Sequence, residues 1–439
     1  MKKINVGMLG IGNIGTGTYR GLAMNHQKIL DTTGLDIEIV KILNRHPEKD
    51  RGIKVPDGVY VQDADAILED PSIDIVIELI GGIEPATTYM AKALANGKGV
   101  VTANKAAIAA NGQRLSELAQ EHHCLLRFEA AVGGGIPILT SLTTALLANA
   151  FTEVHGILNG TTNYILTQMS EYGKDYEDVL RDAQAKGFAE ADPTADVEGI
   201  DAANKLSILM SLVFGIGVAP GDIPTQGITS VDSNDIAFAN ESGYKIKLLA
   251  SAREEDGKVA GNVEPALVPD THPLASVSNE FNAVFVTGNI VDDLMFYGRG
   301  AGPLPTGSAV LGDVIDIASK LHKEAAYDTV SKLRYDAPAT FVGEGASKYY
   351  IRMMAVDEPG VLGRITTVLG SFGISIETVI QRPGHTDRLD AAAPHDNAPI
   401  VPLLFIVHKV ERSLLDQALE ELLAQKLAGS VENVLRVEE

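Results

Sequence analysis

Asp201 and Lys205 stand four residues apart in Asp201-Ala202-Ala203-Asn204-Lys205, a spacing that puts both on one face of a helix. On a surface such a pair is worth only about 0.3–0.5 kcal/mol. Lys205, however, is followed by Leu206, Ile208, Leu209, Met210, Leu212 and Val213, so the helix reads as buried and its lysine must meet a polar cavity. A lysine held by a carboxylate in a cleft is a candidate proton donor. Just upstream, Glu190, Asp192 and Asp196 lie in a loop running from Gly187 to Gly199. Lys105 closes the run Val100-Val101-Thr102-Ala103-Asn104-Lys105, past the carboxyl end of a short apolar strand. Ligands of open α/β sheets bind at that end, so Lys105 is placed to orient a cofactor or polarise a carbonyl. Its plain reading is a surface lysine at a helix start.

A second group binds rather than reacts. Gly10-Ile11-Gly12-Asn13-Ile14-Gly15 follows a strand-like run and opens a helical segment. The first glycine permits a tight turn, the second lets pyrophosphate approach the backbone, and the third allows close helix–strand packing. The helix start then offers N–H donors to phosphate. At the end of the next strand, where an acid would bind a ribose 2′-hydroxyl, the sequence reads Lys41-Ile42-Leu43-Asn44-Arg45. Arg45 can pair with a 2′-phosphate and no carboxylate repels one, so the expected cofactor is NADP(H), with NAD as the alternative.

These residues need elements to hold them. Up to about Val132, apolar runs (Ile4 to Leu9, Ile37 to Leu43, Ile73 to Ile80, Gly99 to Val101, Leu125 to Phe128) alternate with helical patterns. That alternation predicts βαβ units and a mostly parallel, Rossmann-like sheet over 1–132. From 133 to 340 a mixed α+β unit is expected, with helices over Ile136 to Leu147, Tyr176 to Lys186 and Asp201 to Phe214 and isolated strands such as Val284 to Val286. A segment near 300–325 is expected to return to the first domain. After the spacer VGEGAS, residues 348–439 read strand (Tyr349 to Val356), helix (Leu362 to Phe372), strand (Ser375 to Gln381), polar loop (Pro383 to Ala398), strand (Leu403 to Val410), helix (Ser413 to Lys426), strand (Val431 to Val437). This is the ferredoxin-like βαββαβ order. The fold class is therefore α/β, in three domains.

Composition removes several functions. The 439 residues carry 36 Lys plus Arg against 58 Asp plus Glu, a net charge of −22, and no basic run with interleaved aromatics, so nucleic acid is not the expected partner. No run of about 20 apolar residues suggests a membrane span, and glycines interrupt the one stretch resembling a signal peptide. The lone Cys124 suits a reducing cytoplasm. His122-His123-Cys124 resembles half a metal site, but no second cluster supplies the missing ligands, and a helix-end pair beside a buried thiol is the better reading. No Ser or Cys sits in a nucleophile elbow.

Taken together, GIGNIG, VVTANKAA, FEAAVGGGIPI, LNGTTNYI and GFAEADPTADVEGIDAANKL resemble homoserine dehydrogenase across essentially the whole chain, and the unit with DEPGVL resembles an ACT domain. The resemblance implies NAD(P)H-dependent, reversible reduction of L-aspartate 4-semialdehyde to L-homoserine, towards threonine, methionine and isoleucine. It makes Lys205 the proton donor, Asp201 its supporting carboxylate and Lys105 a catalytic lysine that also meets the cofactor. Glu190, Asp196, Asp201 and Thr161 become substrate contacts, with Asn159-Gly160-Thr161-Thr162 on the α-carboxylate; Gly10 to Gly15, Arg45, Thr102 and Gly302 become cofactor contacts. It also implies a monovalent cation, sodium, on Glu129 and the carbonyls of Val132, Gly134 and Ile136. Threonine feedback through paired ACT domains and a homodimer or homotetramer complete the expectation. Among rivals, phosphoglycerate dehydrogenase carries its dinucleotide fingerprint mid-chain, whereas Gly10 starts this chain. A non-catalytic NADP-binding sensor would not need Lys105, Glu190, Asp201 and Lys205 together.

Overall fold

A computed structural model describes residues 2–46, 48–321, 335, 337–381 and 400–438. The polar loop expected over Pro383 to Ala398 lies outside the described residues, as does the end of the 300–325 segment.

The first sheet comprises β1 (Lys2–Leu9), β2 (Leu35–Leu43), β3 (Tyr60–Val61), β4 (Ile75–Glu78), β5 (Gly99–Thr102) and β6 (Leu126–Arg127), in the order β3-β2-β1-β4-β5-β6. All five pairings are parallel. The central strands β4 and β5 are buried at every position because both faces are covered. Ile4, Val6 and Met8 face Val310, Val314 and Ile317 on one side, while Leu9, Val76 and Val100 face Met90, Leu94 and Leu115 on the other. Strand order reverses between β1 and β4, which opens a crevice at the carboxyl ends of the strands.

The helix Pro303–Lys320 packs on the first sheet. It lies against the helix Asn13–Thr33, backbone to backbone: a Cβ on Gly17 would come 2.0 Å from the Pro303 carbonyl oxygen, and one on Gly307 2.8 Å from the Thr18 nitrogen. Any side chain at either position would push the two helices apart.

The second sheet contains β7 (Phe151–Ile157), β8 (Tyr244–Glu255), β9 (Lys258–Pro269), β10 (Phe281–Gly288), β11 (Asp292–Arg299), β12 (Thr340–Phe341), β13 (Ser347–Val356), β14 (Ile376–Gln381), β15 (Ile400–Val410) and β16 (Ala428–Val437). Its order is β11-β10-β7-β8-β9-β16-β13-β15-β14, with β12 also beside β9. The strands expected as isolated are hairpins instead. The long β8–β9 hairpin turns on Asp256 and Gly257, both with positive φ (52° and 75°), the turn that matches strand twist. The helices Gly160–Tyr172 and Ile200–Val213 supply Ile165, Leu166, Leu206 and Leu209 to the core that also takes Val154, Leu248 and Val263 from the sheet.

The C-terminal βαββαβ unit is not a separate bead. Its last strand, β16, pairs in parallel with β9 (Arg436 with Ala266, Val437 with Leu267), so one sheet runs through both units. A buried ion pair pins the seam. Asp235, fully buried on the helix Ser233–Glu241, accepts from Arg352 Nε at 2.8 Å, Tyr350 Oη at 2.9 Å and Asn433 Nδ2 at 2.8 Å. A second carboxylate, Asp232, meets Arg352 at 2.8 Å.

Removing one partner of a buried pair strands the other charge in a medium that cannot solvate it. Arg352→Ala should therefore destabilise the protein by about 3–5 kcal/mol, read from chemical unfolding. A loss under about 1 kcal/mol would show that the seam does not depend on this pair.

Candidate functional site

The loop Gly10–Gly15 joins β1 to the helix Asn13–Thr33. Gly10 has φ 99°, and a Cβ there would meet the Leu79 carbonyl oxygen at 2.9 Å, so the loop is pressed onto the end of β4. Gly12 is the opposite case: no atom lies within 4 Å of its Cβ position, and as helix N-cap it offers no side chain to the first-turn N–H groups. Those donors and that open space fit a pyrophosphate. The loop after β2 is held by a residue the sequence reading did not single out. Arg51 donates from Nε to the Ile11 carbonyl at 2.7 Å and from Nη2 to Asn44 Oδ1 at 3.1 Å, tying that loop to the glycine turn. Nothing periodic marks Arg51 in its charged surroundings. Arg45 is exposed just past β2, with no ion pair among the described residues. Thr102, by contrast, is buried and its hydroxyl is engaged internally, donating to Glu78 Oε2 at 2.7 Å and accepting from the Asn104 N–H at 2.9 Å. Glu78, also unanticipated, accepts from the Ile80 N–H at 2.6 Å and so shapes the loop at the mouth of the crevice.

Across the crevice the charged residues converge. Gly199, with φ 80°, breaks the chain before the helix Ile200–Val213, which puts Asp201 in the first turn and Lys205 one turn on. Lys205 Nζ donates to Asp201 Oδ2 at 2.7 Å and to the Leu158 carbonyl at 2.6 Å. Lys105, at the first position of the helix Lys105–Glu121, meets the other oxygen, Asp201 Oδ1, at 2.8 Å. One carboxylate, 6% exposed, thus holds two lysines that come from the two sheets' domains. Burial alone would raise the Asp201 carboxyl, but Lys205 and Lys105 override it and hold it well below the usual range. Burial would likewise lower Lys105; Asp201, Asp196 and Glu190 turn the balance and raise it. Asp196, half-buried on the short helix Thr194–Val197, is raised, first by burial.

Asn159 stands between the acids, donating from Nδ2 to Asp196 Oδ1 at 2.7 Å and to Asp201 Oδ2 at 2.9 Å. Glu190 is exposed and reaches the group through its charge on Lys105. The hydroxyl expected to bind substrate at Thr161 donates to the Phe188 carbonyl at 2.7 Å, which leaves the helix-start N–H groups of Gly160 and Thr161 for a carboxylate.

The glycine loop 133–135 packs on the segment entering the 303–320 helix: the Gly135 N–H donates to the Arg299 carbonyl at 3.1 Å, and a Cβ on Gly134 would sit 2.3 Å from the Gly300 oxygen. Gly302, φ 114°, is the N-cap of that helix, beside Pro303 and hence against Gly17. Glu129 is buried and caps the turn Ile138–Thr140, accepting from the Leu139 N–H at 2.9 Å and the Thr140 N–H at 2.6 Å. Its own N–H donates to Asp313 Oδ2 at 2.9 Å. Burial and the Glu129 charge push Asp313 up to about 8, and burial raises Glu129 too. The buried Glu129 carboxylate is a negative charge that a cation would relieve. One carboxylate with three carbonyls suits a hard monovalent ion, although the Ile136 carbonyl already accepts from the Ile138 N–H at 2.8 Å. Among the described residues no group of three or more His, Cys, Asp or Glu is gathered as metal ligands. The Cys124 thiol donates to the Leu94 and His122 carbonyls, and burial pushes it up to about 11.

Comparison with known proteins accords with this geometry. Residues 10–129 match the family model "Homoserine dehydrogenase, NAD binding domain", 137–315 the model "Homoserine dehydrogenase", and 349–426 the ACT domain model. Homoserine dehydrogenase of Bacillus subtilis is 36% identical over 100% of this chain and 99% of its own length. That of Neisseria gonorrhoeae is 41% identical over 87% of this chain and 89% of its own. The crystal structure of a homoserine dehydrogenase from Thiobacillus denitrificans superposes with a TM-score of 0.91 at 36% identity, over 100% of this chain and 99% of that one. A hyperthermophilic archaeal homoserine dehydrogenase in complex with NADPH covers 73% of this chain and 98% of its own, with a TM-score of 0.62 at 26% identity. A glycine turn built for a dinucleotide, a lysine–carboxylate–lysine bridge across the crevice and these matches over the full chain have one common account: the chain belongs to the homoserine dehydrogenase family of nicotinamide-dependent oxidoreductases, with a C-terminal ACT domain.

Proposed function

We propose that the chain interconverts L-aspartate 4-semialdehyde and L-homoserine with NADPH as the preferred reductant, and that Lys205 is the proton donor. The observation that carries this is the shared carboxylate of Asp201. An ammonium group has three hydrogens, and Lys205 commits one to Asp201 and one to the Leu158 carbonyl, which leaves a third for substrate. Reduced nicotinamide, when bound, supplies hydride to the aldehyde carbon. Charge then develops on the carbonyl oxygen; the Lys205 Nζ–H bond breaks as the O–H bond forms, and Lys105 lies on the other side of Asp201 as a second positive group. Asp201 favours the protonated form of Lys105 and holds Lys205 in place for the transfer. Glu190 and Asp196 suit the substrate ammonium, and the N–H groups of Gly160 and Thr161 suit its carboxylate. Gly10 to Gly15 and the N-terminus at Gly302 would hold the dinucleotide, with Arg45 on a 2′-phosphate. Glu129 and the carbonyls of Val132, Gly134 and Ile136 would hold sodium, fixing the loop between the two domains.

The same proposal gives the ACT domain a threonine site. A cavity of about 350 Å³ is lined by Asp357, Glu358, Gly360, Gln381 and Val401 at the turn from β13 into the helix Val361–Ser371. The assembly is a homodimer or homotetramer, supported by the half-exposed Tyr297 and the exposed Ile290 at the β11 edge. The location is the cytoplasm, in keeping with one unpaired cysteine.

Lys205→Ala should lower kcat by about 10²–10⁴ with NADPH binding retained, measured by initial rates and cofactor fluorescence; near-normal turnover would exclude Lys205 as donor. The pH dependence of Asp201 follows from its depressed carboxyl and from the raised Lys105. The Asp201 contribution is complete above its unfolded value near 3.9 and is lost as pH falls through the folded one; that of Lys105 is complete below its unfolded value and is lost as pH rises through the folded one. Melting temperatures of Asp201→Asn should thus trail the parent by a constant margin between about pH 5 and 9, converging at both ends. A margin that stays undiminished as pH falls from about 4 to 2 would contradict this assignment. For threonine, truncation before Lys348 is a poor test, because it would strip β16 from β9 and Arg352 from Asp235. Asp357→Ala, on the exposed turn, should instead raise the threonine concentration for half-inhibition at least about tenfold with kcat unchanged; unaltered inhibition would place the effector elsewhere.

A further inference from the structure

The geometry points to Asn159 as a positioning residue: we propose that its amide bridges Asp196 and Asp201, and so aims Lys205 at the substrate oxygen. The inference rests on Lys205 being the donor.

Asn159 is 4% exposed and ends the turn between β7 and the helix Gly160–Tyr172. Its orientation is fixed from behind. Oδ1 accepts from the Thr162 N–H at 2.9 Å, a group that can only donate, so the amide cannot be turned over and Nδ2 must face the acids. Both Nδ2 hydrogens are then used, one on Asp196 at 2.7 Å and one on Asp201 at 2.9 Å. Two carboxylates sharing a neutral donor in a buried site would otherwise compete for a proton.

The charged groups facing this point come from every element around it: Asp196 from the helix Thr194–Val197, Asp201 and Lys205 from the helix Ile200–Val213, Lys105 from the helix Lys105–Glu121, and Glu190 from the preceding loop. Lys105 and Lys205 satisfy Asp201, but among the described residues neither makes an ion pair with Asp196. Asn159 is the amide that bridges Asp196 to the Asp201 site, while the Lys205 charge and the Thr161 hydroxyl also favour the ionised Asp196. Backbone adds to this control. The Leu158 carbonyl takes Lys205 at 2.6 Å and the next side chain takes Asp201, so one turn of chain sets both halves of the donor pair.

Helix capping is the competing role, and one substitution separates the two. Asp caps a helix as well as Asn and has the same shape, but it cannot donate and adds a third carboxylate. Asn159→Asp should still cap its helix and bind NADPH within about twofold, at a cost in melting temperature from the added buried charge. Its kcat at pH 7 should fall at least about tenfold, and the acid limb of its kcat/KM profile should move up by at least about one pH unit. A parental profile and kcat would overturn the assignment and leave only a cap. Should Asn159→Asp fail to fold, Asn159→Ser keeps a capping oxygen without the charge: a loss of about tenfold in kcat with NADPH affinity unchanged supports the proposal, and parental kcat overturns it. Lys205→Ala is assayed beside them. If it is fully active, the donor reading itself fails; if it is inactive while Asn159→Asp is parental, only the role of Asn159 fails.

Discussion

A single carboxylate, Asp201, holds the working parts together. Burying it costs several kcal/mol unless opposite charge comes with it, and two lysines do. Lys205 comes from the same helix, so that contact is local. Lys105 comes from the end of β5, in the other domain, so the second contact exists only when the two domains are correctly placed. What places them is apolar and tight: the 303–320 helix leaves the second sheet after β11 and lies on the 13–33 helix with glycines at the crossing. The ion bridge and the helix crossing lie in different parts of the crevice and fix the same relation between domains. A loss of fit at either one would change the distance between the glycine turn and the Asp201–Lys205 pair.

The same economy appears at the C-terminal unit. Its four strands have their own apolar core, with Tyr349, Ile351, Phe405 and Leu419 packed between sheet and helices. It nevertheless shares a sheet with the catalytic unit, because β16 would otherwise be an open edge beside β9. The polar seam of Asp235, Arg352, Tyr350 and Asn433 adds direction to that pairing: hydrogen-bonded groups fix register where apolar contacts would allow sliding. An effector at the Asp357 turn would act at the end of β13, a strand that carries Arg352 and neighbours β16. β16 in turn pairs with β9, which shares its core with the helix of Asp201 and Lys205.

Much of this was legible in the chain. Alternating apolar runs gave the parallel sheet because its strands are covered on both faces, and the βαββαβ order of the last domain was readable because each element carries its own period. Lys205 stood out because a charge in an apolar helix needs a reason. What escaped was whatever depends on distant partners. The two-residue β3 has no period to detect, and the union of β9 with β16 joins residues about 170 apart. The β8–β9 hairpin was the exception, since Asp256-Gly257 is a local turn signal that was there to be read. Asn159 was noticed as part of a substrate loop; its partners lie 37 and 42 residues downstream, and no spacing rule connects them. Arg51 and Glu78 are of the same kind, ordinary residues made important by what the fold brings to them.

A chain of net charge −22 that must bind an anionic dinucleotide raises an electrostatic question, and the site answers it by range. Charges separated by more than about 8–10 Å of salt solution are largely screened, so the acidic surface acts weakly at the crevice. The surroundings of the glycine turn are local: N–H groups at a bare helix start, the open space over Gly12, and Arg51 bonded to the Ile11 carbonyl. Within the crevice, where water is scarcer and screening weaker, the acids are not free. Asp201 is neutralised by lysines and Asp196 is held by an amide. The excess negative charge can remain on the surface because the few carboxylates that penetrate the site each arrive with a partner.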